Sequence, residues 1–227
     1  MLILADKRIP EKAKKNLKKY WEVLFLETHG ITYPAISGHP DIFFCNTENR
    51  LVVAPNIPEN IKQQLQKNNI QFVEGSLKVG KQYPETAHYN AVVTGELLIH
   101  NLQHTDNVIQ ENCTDLQSIH VNQAYTRCNL IALDNKRFIT SDKAIEKTLI
   151  NKGFEVLFVH PEGIALPGFE HGFIGGCCGI YEDKIFFIGS LNRFPEGDKI
   201  QSFVKEFKII ELYDGPLFDG GSLIFIE

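Results

Sequence analysis

A strand–strand–helix–strand pattern recurs along this chain, and that recurrence constrains the fold more than any other feature. It is plainest over residues 36–76. Ile42-Phe43-Phe44-Cys45 reads as a strand, Thr47-Glu48-Asn49-Arg50 as a polar turn, and Leu51-Val52-Val53-Ala54 as the returning strand of a hairpin. Pro58 then opens a helix over Glu59 to Lys67, since a proline at a helix start forfeits no hydrogen bond. Asn68-Asn69 ends it, and Ile70-Gln71-Phe72-Val73 is a third strand.

The same order is predicted over residues 84–122, 123–163 and 169–213. Their first strands are Ala91 to Val93, Asn129 to Leu133 and Cys177 to Tyr181, and their second strands begin at Leu97, Arg137 and Ile185. Their helices run from Thr105 or Asp106 to about Cys113, from Ser141 or Asp142 to about Asn151, and from Pro195 to about Glu206. Residues 214–227 and 1–35 together make the fifth copy. Ser222 to Ile226 is its first strand, Leu2 to Ala5 its second, Pro10 to about Lys19 its helix, and Glu22 to Leu26 its third strand.

One such unit is too small to cover both its sheet and its helix. Radial repetition lets neighbours cover each other, and a copy split between the two ends would close a ring. The expectation is a single α/β domain over residues 1–227, a five-bladed propeller of ββαβ repeats closed by pairing of the N- and C-terminal strands. An open doubly wound sheet alternates single strands with helices, and the hairpin in every copy argues against it.

Composition narrows the class further. The chain is 43% apolar and 22% charged, with a formal net charge of −5. That acidic balance, with one short basic stretch from Lys12 to Lys19, leaves no footprint for nucleic acid. No apolar run nears the ~20 residues of a bilayer span, so no membrane partner is expected either. Met1 to Lys7 becomes charged too soon for a secretory signal. Cys45, Cys113, Cys128, Cys177 and Cys178 are odd in number and lack disulfide spacing. The reading is a reduced, cytoplasmic protein, and the Lys-, Asn- and Ile-rich usage points to a bacterial source.

A fivefold ββαβ ring resembles the pentein family of guanidino-group-modifying enzymes: arginine deiminase, dimethylarginine dimethylaminohydrolase, agmatine deiminase and the amidinotransferases. Gly38-His39-Pro40-Asp41-Ile42-Phe43-Phe44, followed by Leu51-Val52-Val53, is similar to the glycine-rich, Asp-containing hairpin of dimethylarginine dimethylaminohydrolase. Tyr83-Pro84, Asn90-Ala91-Val92-Val93, Gln123-Ala124-Tyr125, Thr140-Ser141-Asp142 and Gly172-Phe173-Ile174-Gly175-Gly176 resemble an uncharacterised bacterial family of that fold. The resemblance implies that residues 38–41, 87–90, 124–128, 171–178 and 218–222 face a central axis, where a small polar ligand would bind.

By the same resemblance Asp41 is the carboxylate that grips a guanidinium. His39, Asn90, Tyr125, Arg127 and Gly175 join it as substrate-binding residues. His171 would act as general acid and base, and Asp219 would orient it. Plainer readings stand beside these. Asp41 also reads as a turn residue after Pro40, His171 as a hydrogen-bonded histidine before a glycine-rich turn, and Asp219 as a cap on Gly220-Gly221.

Pentein hydrolases attack with a cysteine of the last copy, and Asp219-Gly220-Gly221-Ser222-Leu223-Ile224-Phe225 contains none. Cys177 or Cys178 could substitute from beside His171. Cys128 could do so beside Arg127, whose charge favours a thiolate. Ser222 would need an adjacent base. Cys128 and Cys177 are the catalytic candidates taken forward with His171 and Asp219, although each cysteine also reads as a small buried apolar residue. His171, Cys177 and Cys178 lack a zinc spacing and His39 is remote, so neither a metal nor another cofactor is expected. The expected function is action on a small guanidine or amidine, hydrolase- or amidinotransferase-like, with a non-standard nucleophile. Its partner would be a small polar or cationic metabolite. The alternative is a non-catalytic scaffold binding a metabolite or a protein. Oligomeric state has no signature in these residues.

Overall fold

Strands group in threes throughout the chain. The computed structural model describes residues 1–47 and 50–227, and the strands in it form five three-stranded sheets. In chain order the first sheet holds β1 (Leu2–Asp6) and β2 (Glu22–Leu26), joined by α1 (Glu11–Leu17). A helical turn, α2 (Pro40–Phe43), leads into β3 (Phe44–Asn46), β4 (Leu51–Val53), α3 (Glu59–Lys67) and β5 (Phe72–Glu74). The third sheet is β6 (Val92–Val93), β7 (Leu97–His100) and β8 (Gln117–His120), with α4 (Asn107–Glu111) before its last strand. A second helical turn, α5 (Thr126–Asn129), precedes β9 (Leu130–Ala132), β10 (Arg137–Thr140), α6 (Lys143–Asn151) and β11 (Glu155–Phe158). The last full repeat is β12 (Cys178–Tyr181), β13 (Lys184–Phe187), α7 (Gly197–Phe203) and β14 (Lys208–Glu211). The final strand, β15 (Ile224–Ile226), returns to the first sheet, antiparallel to β1 with Leu2 opposite Ile226 and Leu4 opposite Ile224.

Every sheet has the same handwriting: its middle strand runs antiparallel to the first and parallel to the third. A hairpin makes the antiparallel pair in four sheets and the two chain ends make it in the first, while a helical crossover makes every parallel one. The middle strands are buried on both faces, so their period-2 alternation feeds two cores at once. Leu2 and Leu4 pack with Ile42, Phe43 and Val52 of the next repeat, while Ile3 and Ala5 pack with Ala13 and Leu17 of their own repeat and with Phe186 and Ile188 of the repeat over residues 169–213. Leu98 joins the first of these cores, Ile99 packs with Leu130 and Phe138, and Ile139 packs with Ile185 and Phe187. A large-to-small change at a fully buried position such as Leu4 would cost about 2–5 kcal/mol.

Four of the five middle strands begin where the repeat placed them, and the other begins at Lys184, one residue early. The first strands differ. Ile42 and Phe43, expected in a strand, lie in α2; Asn129 lies in α5; Cys177 ends a turn of 3-10 helix over Gly175–Cys177. Those turns let one repeat reach the next through its backbone, as Asp41 N does to the Gly221 carbonyl at 3.2 Å and Arg127 N to the Asn90 carbonyl at 2.9 Å. A continuous strand would spend those groups within its own ladder. Helices α1 and α7 are shorter than expected, and Pro10 and Pro58 stand as caps one residue outside their helices. Asp106 and Asp142 cap α4 and α6 as read. Of the turn placed over Thr47 to Arg50, Glu48 and Asn49 lie outside the described residues. Among the described residues no helix is long and apolar enough to cross a membrane.

Candidate functional site

The helical turns that precede the first strands meet around one buried carboxyl, that of Asp41. Pro40 at the first helical position sets the chain direction into α2 and leaves Asp41 with no solvent exposure. Asn90, from the third repeat, ties the layer together. Its Nδ2 donates to the Asp41 carbonyl at 3.1 Å, and its Oδ1 accepts from Cys128 N at 3.1 Å. The Cys128 thiol donates to Asp41 Oδ2 at 3.2 Å, and the Ser222 hydroxyl lies 3.0 Å from both Asp41 Oδ2 and the Gly175 carbonyl. Gly175 has to be glycine, because a Cβ there would meet the Arg127 and Cys128 carbonyls. Oxygen Oδ2 thus has two partners, whereas Asp41 Oδ1 is buried with none among the described residues. Burial pushes the Asp41 carboxyl up to about 6 against the pull of the thiol and hydroxyl. Burial, then the neighbouring Asp41 charge, holds the Cys128 thiol well above its ordinary value.

On one side of this layer lies a pit of about 140 Å³. Its lining brings the titratable groups of His39, Cys128, His171 and Asp219 together with the rings of Tyr33, Tyr125, Phe169 and Phe173. The His39 ring stands between two carboxylates, with Nε2 at 3.9 Å from Asp6 Oδ2 and Nδ1 at 3.9 Å from Asp219 Oδ1. Neither distance is a hydrogen bond, and Nδ1 is buried without a partner among the described residues. Burial lowers the pKa of His39 although both carboxylates act the other way. Asp219 accepts from Phe173 N at 2.9 Å and Gly221 N at 3.1 Å, and burial raises its pKa against the influence of His39. Asp6 is engaged by Arg8, whose Nε lies 3.0 Å from Oδ1. The Tyr125 hydroxyl meets that of Tyr33 at 3.2 Å and that of Thr86. Gly176 and Gly221 leave room for this lining, since a Cβ on the first would strike the Asp219 carboxylate and on the second the His39 side chain.

On the other side, Arg127 lines two adjoining cavities of about 330 and 140 Å³. Their walls are first strands: Phe44 of β3, Val93 of β6, Leu130 of β9, Ile180 of β12 and Ile224 of β15. The one polar contact of the Arg127 side chain, 3.5 Å from Nε to Ser222 Oγ, is marginal, and it has no ion pair among the described residues. The space is larger here, but titratable groups are concentrated in the pit.

The candidates from the sequence therefore divide. His39, Tyr125, Cys128, His171 and Asp219 border the pit; Asp41, Asn90 and Gly175 build the layer beneath; Arg127 faces away. Asp219, not Asp41, is the carboxylate on the pit lining. His171 reaches the lining, where its Nδ1 lies 3.0 Å from the Gly172 carbonyl and its ring meets Phe173 edge-on. Cys177 lies in the core with Ile131 and Ile139, donates to the Phe173 carbonyl at 3.2 Å, and has its thiol pushed well up by burial. Of the other residues in the expected axial segments, Tyr89 is in the core with its hydroxyl on the Leu77 carbonyl. Asp6, Tyr33 and Phe169 escaped the sequence reading, whereas Phe173 fell within the marked 171–178 segment without being singled out. Asp6 had a signal, as the lone charge ending an otherwise apolar strand, and Tyr33 and Phe169 lie a few residues ahead of segments already marked.

Residues 4–224 match the family described as "Family of unknown function (DUF6873)". No curated protein matches the chain in sequence. Among solved structures, the chain is similar to an amidinotransferase from Microseira wollei in the saxitoxin biosynthetic pathway, at 11% identity and a TM-score of 0.58 over 100% of this chain and 94% of that one. C. jejuni agmatine deiminase follows at 12% identity and 0.55, over 93% and 74% of the two chains. DDAH from Pseudomonas aeruginosa, complexed with citrulline, matches at 8% identity and 0.55, over 92% and 91%. The chain belongs to the DUF6873 family, and its structural neighbours are guanidino-modifying enzymes of the pentein fold.

Proposed function

We propose that this chain is a closed ring of five blades whose pit takes a small guanidinium- or amidinium-type cation. The ring reading draws on the shared cores, which pass from each sheet to the next, and on β15, which joins the last repeat to the first. Removing residues 224–227 tests it: loss of cooperative unfolding is expected, and an unchanged Tm would break the reading.

The observation that carries the ligand is the make-up of the pit. It has a carboxylate at Asp219, aromatic rings, and no lysine or arginine among its lining residues. A flat delocalised cation gains from both elements, through charge-assisted hydrogen bonds to the carboxylate and through the ring faces. At ~30 Å³ for each water in the liquid, the pit holds a few waters' worth, which suits the head group of such a compound. The printed names of the neighbours, a deiminase and an amidinotransferase, lie in the same chemistry. Calorimetry with guanidinium, acetamidine, agmatine and arginine checks this. Binding of at least one is expected, and four flat titrations at millimolar concentration would remove the reading.

A second reading, binding without turnover, is favoured by the thiols. All five cysteines are buried. Burial drives Cys45 and Cys178 up to about 12 and holds Cys128 and Cys177 well above the ordinary thiol value. Ser222, enclosed between Asp41 and Gly175, is also off the pit lining. None of these four thiols stands ready as a thiolate to attack an amidine carbon. Release of ammonia or amine at saturating cation would support an enzyme with a non-thiol nucleophile; its absence would support a scaffold.

A further inference from the structure

One ring nitrogen of His39, one carboxylate oxygen of Asp41 and the Cys128 sulfur lie within 4.8 Å of one another. The three come from two different repeats, so no sequence spacing announces them. Each is buried: His39 is 1% exposed, Asp41 0% and Cys128 4%. Two polar atoms of this set, His39 Nδ1 and Asp41 Oδ1, are buried with no hydrogen-bond partner among the described residues. A buried donor or acceptor left unmade costs about 1–3 kcal/mol, so two in one cluster call for a partner of another kind. From these observations we propose that His39, Asp41 and Cys128 form a binding site for a divalent transition metal of the zinc and cobalt class.

The donor set selects that class. Thiolate and imidazole favour zinc, cobalt or ferrous iron over magnesium and calcium, which take all-oxygen shells. Charge supports it as well. A divalent ion with one carboxylate and one thiolate gives a neutral centre, which resolves the burial of two acidic groups side by side. The thiol proton, now on the hydrogen bond from Cys128 to Asp41 Oδ2, would leave as the metal enters, so uptake releases a proton. The route in is the pit, since His39 and Cys128 both border it. Three protein ligands leave a fourth position for a water, which Asp219 Oδ1, 3.9 Å from His39 Nδ1, is near enough to hold by a hydrogen bond. The inference goes beyond the cation reading and does not depend on it, because metal alone is the probe.

Cobalt titrated into chelator-treated full-length protein is expected to bind at one equivalent and to show thiolate-to-cobalt charge-transfer absorption in the near ultraviolet. Zinc should be retained at the same stoichiometry through gel filtration, and it should raise Tm. Cys128→Ser should abolish the absorption band and weaken zinc by at least about 100-fold, more than loss of a supporting residue would. Cys178→Ala should leave both unchanged. If Cys128→Ser does not fold, His39→Gln carries the same expectation for zinc affinity and for the Tm shift. No charge-transfer band on the native chain, or a band that survives Cys128→Ser, overturns the site. Cation binding without metal binding would defeat this inference alone, and metal binding without cation binding would defeat the other alone.

Discussion

Arg127 and Cys128 are neighbours in sequence, yet they line different cavities. Cys128 borders the small acidic pit with His39 and Asp219, while Arg127 lines the wider cavities enclosed by the first strands. The buried layer of Asp41, Asn90 and Ser222 lies between them. The lesson is that a polar set gathered near one axis need not be one site. The ~100° between successive residues of α5 is enough to send adjacent side chains into different cavities, so the cationic and anionic groups are separated rather than paired.

Acidification tests the support shared by both sides. His100 is fully buried, with Nε2 donating to the Ala124 carbonyl at 2.7 Å and Nδ1 2.7 Å from the Thr105 hydroxyl. Ala124 leads directly into Tyr125 of the pit and Arg127 of the cavities. Burial lowers the His100 pKa to about 4. The unfolded chain therefore binds the proton first, and stability present above pH 6.5 is lost as pH falls toward 4, by about 3 kcal/mol. Asp41, raised to about 6, takes up its proton first in the folded chain and acts in the opposite sense, so urea unfolding of His100→Gln against the parent across that range isolates the His100 share.

The pit alone is addressed by Gly221→Ala. Gly221 has φ +66°, and a Cβ there would overlap the His39 side chain and come within 2.6 Å of its Cα. The strained backbone and the overlap should together cost about 2–3 kcal/mol, read by urea unfolding, with cation binding lost as His39 is displaced. Asp219→Asn removes the lining charge while keeping its shape. Cation affinity should fall about 30-fold, near 2 kcal/mol, by calorimetry. Arg127→Ala should matter least. Stability within about 1 kcal/mol of the parent and cation affinity within about twofold are expected, as for a partly exposed side chain with one marginal contact. A large loss of cation binding there would merge the two sides again.

Much of the fold was legible because it is written locally. The middle strands stand out as apolar runs, and Asp106 and Asp142 announce the helices that begin at the next residue. The first strands were harder, since Ile42-Phe43-Phe44-Cys45 is apolar enough to read as strand while the backbone of Pro40 to Phe43 curls to reach Gly221. The site was legible only as a list. His39, Asp219, Cys128 and Tyr125 were marked and do border one pit, but Arg127 was marked with them and lies elsewhere, and Cys177 disappears into the core.

From the sequence alone came the five repeats, the pairing of the two chain ends and the want of a cysteine in the last copy, because periodicity and residue identity survive without coordinates. Tertiary structure decided which side each polar group serves, which carboxylate reaches the pit, and which of five thiols meets a histidine and a carboxylate. Those outcomes depend on contacts between residues far apart in the chain and on the loss of water around them, and neither leaves a mark in local sequence.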